Sequence, residues 1–483
     1  MAEQYPSQIA LESCIISKLD NEGNVIKKRS LTTDMIISFD FMESILSPFI
    51  SGNLLISDSK DFLNTFPIEG GEDIAVGIKH SFSEEPMDYN LRVYKVGNRV
   101  VDGKKQVYNL LLVSEEALIN ESFKIQEPLD ENPESIIIKL LREKLLTSKE
   151  IFSEPSKFKI RMIPGNLRVF DIIAKLIKKS VSLKASYSTE NSSTNTPRSE
   201  QKIKGSAGFL FWETRRGYNC FSVDSLCDIS EKQEFAAPRL QSKAWGPYIE
   251  TIANTDTTAD ARFNITAFNF TSEVDIMSSL RLGKYSTKLV LFNHSTGAYN
   301  EYVYKIKDSY NDMAHVGGQS SVSAVPGAPR FPEGRKELSE SPSRIMSGIL
   351  DPETWYDDPD VGDPDDPKVE NPTEYADWTK YFAVQSVARM DLLKNSESVL
   401  KIPPNPQICA GDKIALLLRS KLSDAFQTQK PYDTESSGIY LVKEVTHTFN
   451  FVNGGTSGKG FSTLRLFRDS YGTEVEPSKH GDK

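Results

Sequence analysis

Histidine and cysteine, which carry most nucleophilic and metal chemistry, are scarce here: 483 residues contain five of one and four of the other. Cys14, Cys220, Cys227 and Cys409 have no metal-ligand spacing, and no histidine stands near Cys220 or Cys227. Free thiols in a reducing compartment are the expected state. His80, His294, His315 and His480 likewise show no metal spacing. His447 stands in an alternating stretch beside Glu444. A general base would need a nucleophile in reach and an orienting partner. The sequence offers neither, so His447 reads as a structural strand histidine.

Other signatures are missing too. There is no GxxxxGK[ST] and no strand-linked GxGxxG. The glycines around Gly454-Gly455 and Gly458 fit a hairpin loop between Phe451 and Phe461. Peptidoglycan cleavage would need paired carboxylates across a cleft, whereas the acids here crowd into one run. The sequence therefore assigns no catalytic, cofactor or metal residue, and a non-enzyme is expected. A surplus of positive charge is also absent. The net charge is −10 and the pI about 5.3, against a general nucleic-acid surface; Lys27-Lys28-Arg29 and Lys178-Lys179 read as solvated surface. Apolar runs such as Ile136–Ile138 with Leu140-Leu141 fall far short of the roughly 18 residues that span a bilayer. The first 13 residues lack a charged segment followed by an apolar one, so no signal peptide is expected.

What the chain has in quantity is aromatic residues, 25 Phe and 18 Tyr, largely in alternating segments. That favours a β-rich fold. The most structured stretch is 37–78. Ile37, Phe39 and Phe41 alternate with polar residues, Pro48 and Gly52 bracket a bend, and Asn53–Ile56 continues extended. Leu63, Phe66 and Ile68 form an apolar plug, and Gly70-Gly71 turns the chain into Ile74, Val76 and Ile78. Tyr89–Val96 and Gln106–Val113 read as a hairpin.

The length implies two to four domains. Residues 1–125 read as a first β domain and 126–240 as an α+β domain. In the latter, helices are expected after Pro133 and after Asn166, the second with Asn166 as its cap; 186–201 is a polar loop, and two strands join at Arg215-Arg216-Gly217. Residues 241–312 and 379–475 read as a second β domain. It includes Phe263 and Ile265 in an alternating segment, a short helix over 274–280, strand Lys288–Phe292, and strands at Val384–Leu393, Val399–Ile402, Lys413–Leu418, Ile439–Val445 and Thr463–Phe467. Residues 313–378 read as a linker, Gly/Ser/Pro-rich and then acidic, with 11 Asp or Glu, five Pro and one Lys between Asp351 and Asp377. Asp357–Asp366 lacks the spaced ligands of a calcium loop. Residues 476–483 are a tail.

One ordered set of residues resembles a known family: Ser47, Pro48, Phe49, Ile50, Gly52, Leu54, Ile56, Asp58 and Ser59, then Leu63, Pro67, Ile68, Gly70, Gly71 and Glu72. Further matches are Phe221-Ser222, Asp224-Ser225-Leu226, Ala410-Gly411-Asp412, Ser437–Val442, Val445–His447 and Arg468–Gly472. A Pro-Asn-Pro replaces the usual glycine before Ala410. Together these resemble the baseplate central hub proteins of contractile-tailed (T4-like) bacteriophages, related to the hub part of type VI secretion spike proteins.

The resemblance implies a fold that is mainly β with an α+β domain, with two tube-like β-barrel domains in one chain. It also implies a homotrimeric ring that adapts a sixfold tail tube to a threefold membrane-piercing spike. The implied partners are the spike protein, the tail tube or its initiator, and baseplate wedge components. The implied place is the virion tail baseplate, assembled in the host cytoplasm, and no cofactor is implied. DNA would pass through the ring without specific binding, and three chains at −10 each suggest a neutral-to-acidic lumen. The alternative is another tail component, such as a receptor-binding adhesin or a cell-wall hydrolase.

Overall fold

The computed structural model describes residues 6–20, 22–80, 86–184, 186–187, 203–204, 208–228, 244–250, 259–273, 275–293, 297, 299–310, 313–316, 340–350, 355–356, 381–421, 432–433, 436–451 and 457–469. Most of the loop 186–201, most of the acidic run 351–377, Gly454-Gly455, the tail 476–483, His294 and His480 lie outside the described residues.

The chain is mainly β, with one large mixed sheet. Its N-terminal part comprises β1 (Gln8–Leu19), β2 (Val25–Ser30), β3 (Ile36–Ser44), β4 (Ser51–Asp58), β5 (Asp73–His80), β6 (Met87–Asp102) and β7 (Lys105–Val113). Neighbours run β3-β4-β7-β6-β5-β1, all antiparallel, and β2 pairs with the outer half of β1. Phe39, Phe41, Leu54, Ile56, Ile74, Val76 and Ile78 are buried in one core, as their alternation requires. Ile36 rather than Ile37 joins that core, because a register shift between Ile36 and Ser38 flips the face. The short helix Phe62–Thr65 stacks Phe62 on Phe66, 5.5 Å apart, and plugs the same core.

The circuit is completed from the far end of the sequence. A long hairpin, β23 (Gly438–Phe451) and β24 (Ser457–Arg468), pairs with itself along nearly its whole length. The second half of β23 pairs with β3, and the start of β24 pairs with β1. The pairings thus return on themselves, β3-β4-β7-β6-β5-β1-β24-β23 and back to β3. The other ends of the same two strands belong to a second group. There β23 pairs with β22 (Lys413–Leu417) and β24 with β21 (Ser396–Ile402). Outside these lie β15 (Trp245–Ile249) and β16 (Ala267–Glu273), joined through a bridge from Ile249 to Asn264. A register shift between Val442 and Glu444 falls where β23 passes from one group to the other. An extra residue of this kind bends and twists a strand, which lets it serve two curved surfaces. Each group has its own core, around Phe39 and Tyr89 in one and around Tyr248, Ile414 and Leu464 in the other. A boundary at residue 125 therefore leaves out two strands of the N-terminal circuit.

The α+β part, 126–228, packs helices Pro133–Lys139 and Val169–Lys179 with β8 (Leu129–Glu131), β9 (Ile151–Ser153), β10 (Lys159–Met162), β13 (Phe209–Thr214) and β14 (Gly217–Ser222). Its remaining strands are the short pair β11 (Ser186–Tyr187) and β12 (Ile203–Lys204). The second helix buries Val169, Phe170, Ile172, Ile173 and Leu176. Its cap differs from expectation. Arg168 occupies the N-cap, while Asn166 has a positive φ and accepts from Gln126. The Phe170 N–H is satisfied instead by the Asn120 side chain at 2.9 Å.

Four further expectations are corrected. Val384–Leu393 is helical, a π-turn over Tyr381–Gln385 followed by helix Ser386–Leu393. Val384, Ala388 and Leu392 are buried at intervals of four, the helical period. Phe263 ends a 3-10 turn, Ala259–Phe263, rather than lying in a strand. β17 (Ser286–Asn293) and β18 (Tyr299–Lys305) form a sheet of their own with β19 (Arg344–Leu350), which lies inside the expected linker. Trp355-Tyr356, also inside it, forms β20 on the edge of β10. The expected short helix is present at Ile276–Leu282, capped by Asp275 and ended by Gly283 in the left-handed region.

Candidate functional site

The buried polar groups gather where the three parts of the chain meet. Glu43 on β3 is buried beside the Arg215-Arg216 turn between β13 and β14. Its carboxylate accepts the backbone N–H of Arg215 at 2.6 Å and of Ala410 at 3.1 Å. Burial pushes its pKa up to about 7 against the pull of those two donors. Arg216 forks onto Asp412, at 2.9 and 2.8 Å, a bidentate pairing suited to guanidinium and carboxylate. Asp412 also accepts from Trp245 Nε1 and from the Cys409 N–H, each at 3.0 Å. Trp212 Nε1 donates to the Ala410 carbonyl at 2.9 Å. Gly411, at φ 93°, lies so close beneath this indole that a Cβ would sit 2.7 Å from it. One turn of the α+β part thus fastens both strand groups.

A second knot surrounds Arg389, which is completely buried on helix Ser386–Leu393. It donates to Asp469 at 2.8 Å, to Asp224 at 3.1 Å and to the Ala314 carbonyl. Asp469 also meets His315 Nδ1 at 3.1 Å and accepts the Val316 N–H at 3.0 Å. Burial alone would raise the Asp469 carboxyl, but Arg389 and His315 outweigh it and hold it well below the usual carboxylate range. In a third knot, Lys149 bridges Glu116 and Glu213 at 2.6 and 2.5 Å, and Glu213 accepts the Ile50 N–H at 3.1 Å.

The histidines are packed between aromatic rings. His447 Nδ1 lies 2.8 Å from Ser462 Oγ, but the two residues are 2% and 0% exposed, so this imidazole–hydroxyl pair is closed to substrate. Glu444 turns instead to Arg465. His447 and His80 both flank Phe449, with ring centroids 6.3 and 5.6 Å away. Neither nitrogen of His80 has a hydrogen-bond partner among the described residues. His80 faces a cleft of about 220 Å³ between the two strand groups, walled by Trp245, Tyr248, Phe263 and Pro403-Pro404. Burial lowers His80 to about 4 and His447 to about 3. All four cysteines are buried free thiols, their pKa values raised by desolvation, which suppresses thiolate chemistry.

These shifts give a pH dependence. The folded pKa values lie below the unfolded 6.5, so the histidines' contribution is complete above about pH 6.5 and is lost as pH falls toward 4. Roughly 3 kcal/mol is at stake for His80 by pH 4. The guanidinium midpoint should therefore drop between pH 7 and 4.5, and by much less in a His80→Phe, His447→Phe double variant. An equally steep drop in that variant would assign the acid sensitivity to other groups.

Neither a protein-family model nor a curated protein matches the sequence. The fold is similar to that of solved tail proteins. One is the tail protein from Neisseria meningitidis MC58, 10% identical with a TM-score of 0.47 over 95% of this chain and 98% of that one. Another is the 43 kDa tail protein of prophage MuSo2 from Shewanella oneidensis, 9% identical with a TM-score of 0.46 over 95% and 99%. A PdpA–VgrG complex from Francisella is similar at 10% identity and a TM-score of 0.43, over 98% of this chain and 60% of that one. The first two are described as tail proteins and the third as a PdpA–VgrG complex.

A few of the residues that carry the sequence resemblance take part in the knots or hold turns. Ser222 caps helix Val223–Cys227, and Asp224 beside it holds Arg389. Glu72 accepts the N–H groups of Glu69 and Gly70 at the Gly-Gly turn. Asp412 and Asp469 anchor one knot each. Glu43, Arg389 and Glu213 went unnoticed in the sequence. Each lies beside apolar residues that pack into a core, and a charge interrupting such a stretch was the available signal.

Proposed function

We propose that this chain is a structural hub of a contractile-type tail baseplate. Three copies close a ring that joins a sixfold tube to a threefold spike and lines part of the DNA channel, and the chain has no enzymatic role. The observation that carries this reading is the hairpin β23–β24, which belongs to both strand groups. We read these as two tube-like β-barrels. Because the same two strands run through both, the relative orientation of the barrels is fixed by backbone hydrogen bonds. A ring of six units built from three chains requires that fixed orientation, since a flexible link would let the second unit miss its place. In that reading, closing each barrel would also remove strand edges that would otherwise recruit unwanted partners.

A surface suited to association between copies lies on the sheet β18-β17-β19. Its inner face packs Leu289, Leu291 and Tyr304 into a core. The outer face presents rows of cross-strand partners, Phe292 with Tyr299 and Ile349, and Lys288 with Val303 and Ile345. Ile345 and Ile349 are each 71% exposed, an apolar patch unusual for a free surface. Analytical ultracentrifugation of the chain, alone and with its spike, should reveal a three-chain species. Ile345→Glu with Ile349→Glu should weaken that association about a hundredfold while leaving the thermal midpoint nearly unchanged. A stable monomer under both conditions would overturn the hub reading.

A further inference from the structure

Glu43 joins three parts of the chain through two hydrogen bonds, and it forms no ion pair among the described residues. One carboxylate oxygen takes the Arg215 N–H at 2.6 Å and the other takes the Ala410 N–H at 3.1 Å. So β3 holds the β13–β14 turn with one oxygen and the lead-in to β22 with the other. Both ends are enclosed, since Glu43 and Ala410 are 1% and 3% exposed. An ionised carboxylate accepts at both oxygens, whereas a protonated one carries a donor on one of them. A backbone N–H cannot accept that proton. Protonation therefore breaks one of the two bonds, and the longer one, to Ala410, is the weaker. A buried N–H left without an acceptor is costly, so the Ala410 segment opens to find one in water.

The charged and titratable groups around Glu43 come from several elements. Arg215 and Arg216 face it from the β13–β14 turn, Cys409 and Asp412 from the lead-in to β22, and Tyr89 from β6. His80 on β5 and His447 on β23 stand beyond them, within the field of Arg215. Desolvation keeps Tyr89 and Cys409 protonated and both histidines neutral between pH 6 and 8. Burial opposes the charge of Arg216, but its pairing with Asp412 outweighs it. Of the groups that their surroundings shift here, only Glu43 comes near neutrality, pushed up to about 7 by burial. We propose that Glu43 is a proton-operated tie: on protonation the segment around Ala410 detaches from β3 while the Arg215 turn stays attached. The bonds from Trp212 to the Ala410 carbonyl and from Arg216 to Asp412 remain, so the opening is local. The folded pKa lies above the ordinary 4.5, so the folded chain takes up this proton before the unfolded one does. Glu43 thus adds global stability as pH falls through 7, and lost protection at Ala410 in that range is not general unfolding. This goes beyond the hub reading and does not depend on it.

Hydrogen exchange of the full-length chain, read by mass spectrometry, reports on the tie directly. Between pH 8 and pH 6 the protonated fraction of such a carboxyl rises about tenfold. After correction for intrinsic exchange rates, the peptide containing Ala410 should lose about tenfold in protection, with its midpoint at about pH 7. The peptide containing Arg215 should keep its protection. Glu43→Gln preserves the shape but has a single acceptor oxygen, so its Ala410 peptide should be equally open at both pH values. Circular dichroism tells whether this variant is folded; if it is not, the wild-type profile alone decides. Unchanged protection at Ala410 in the wild type would overturn the proposal. So would a pH-dependent loss that persists in Glu43→Gln, or an equal loss at Arg215.

Discussion

Replacing Arg389 with Met should lower the unfolding free energy by about 4 kcal/mol, the usual cost of leaving a buried charge without its partner. Domains of ordinary stability have only about 5–15 kcal/mol in hand, so the effect is large. The reason is geometric. Arg389 and Asp469 are both fully buried, and one guanidinium neutralises Asp469 while also reaching Asp224 and the Ala314 carbonyl. Methionine fills much of the same volume but leaves Asp469 with only His315 and the Val316 N–H among the partners described above. The pH profile separates lost charge from lost packing. In the native chain the folded Asp469 pKa is depressed, so its contribution is present above the ordinary value near 3.8 and is lost as pH falls below it. In the variant that acid limb should disappear, because the carboxyl is no longer held ionised. An Arg389→Met, Asp469→Asn double variant should recover part of the loss. Guanidinium melts would contradict this account if the single variant lost less than about 1 kcal/mol.

The elements that reveal themselves in the sequence are those whose neighbours lie close along the chain. Alternation at Phe39, Leu54, Ile74 and Leu110 marks strands that each have an adjacent segment of the chain as one partner, and the helix Val169–Lys179 declares its buried stripe. Two things were illegible. One was where a strand finds a distant partner: nothing local in Thr446–Asn450 says that it lies against β3, some 400 residues earlier. The other was a competing periodicity. Val384–Leu393 is apolar enough to read as a strand, and only the Val384, Ala388, Leu392 spacing separates it from one. The buried charges follow the same logic. Asp412 and Asp469 stand out in short motifs, but the motif residues do not name Arg216 or Arg389 as their partners. Ion-pair partners are set by the assembled fold.

The largest effect is expected from cutting the chain where its sequence suggests a boundary. Residues 1–125 expressed alone should fail to fold cooperatively, although they contain six strands of the N-terminal circuit. The missing pieces are β23 and β24, which pair with β3 and β1 and put Phe449 and Phe451 into the core beside Phe39 and Tyr89. Losing two buried phenylalanines from a core costs about 3–5 kcal/mol each, comparable to the stability of a domain this size. The cut would also open two strand edges, each a row of unpaired N–H and C=O groups ready to recruit another chain. Aggregation, or a broad thermal transition without a sharp midpoint, is therefore the expected result for 1–125. Fusing residues 436–469 to its C-terminus through a flexible Gly/Ser linker should restore a sharp transition and disperse the amide resonances in an NMR spectrum. The fragment and the fusion differ only in that hairpin and its linker. If 1–125 alone melted as sharply and at the same temperature as the fusion, the N-terminal circuit would not need the shared hairpin. The fixed coupling of the two strand groups, on which the hub reading depends, would then lose its basis.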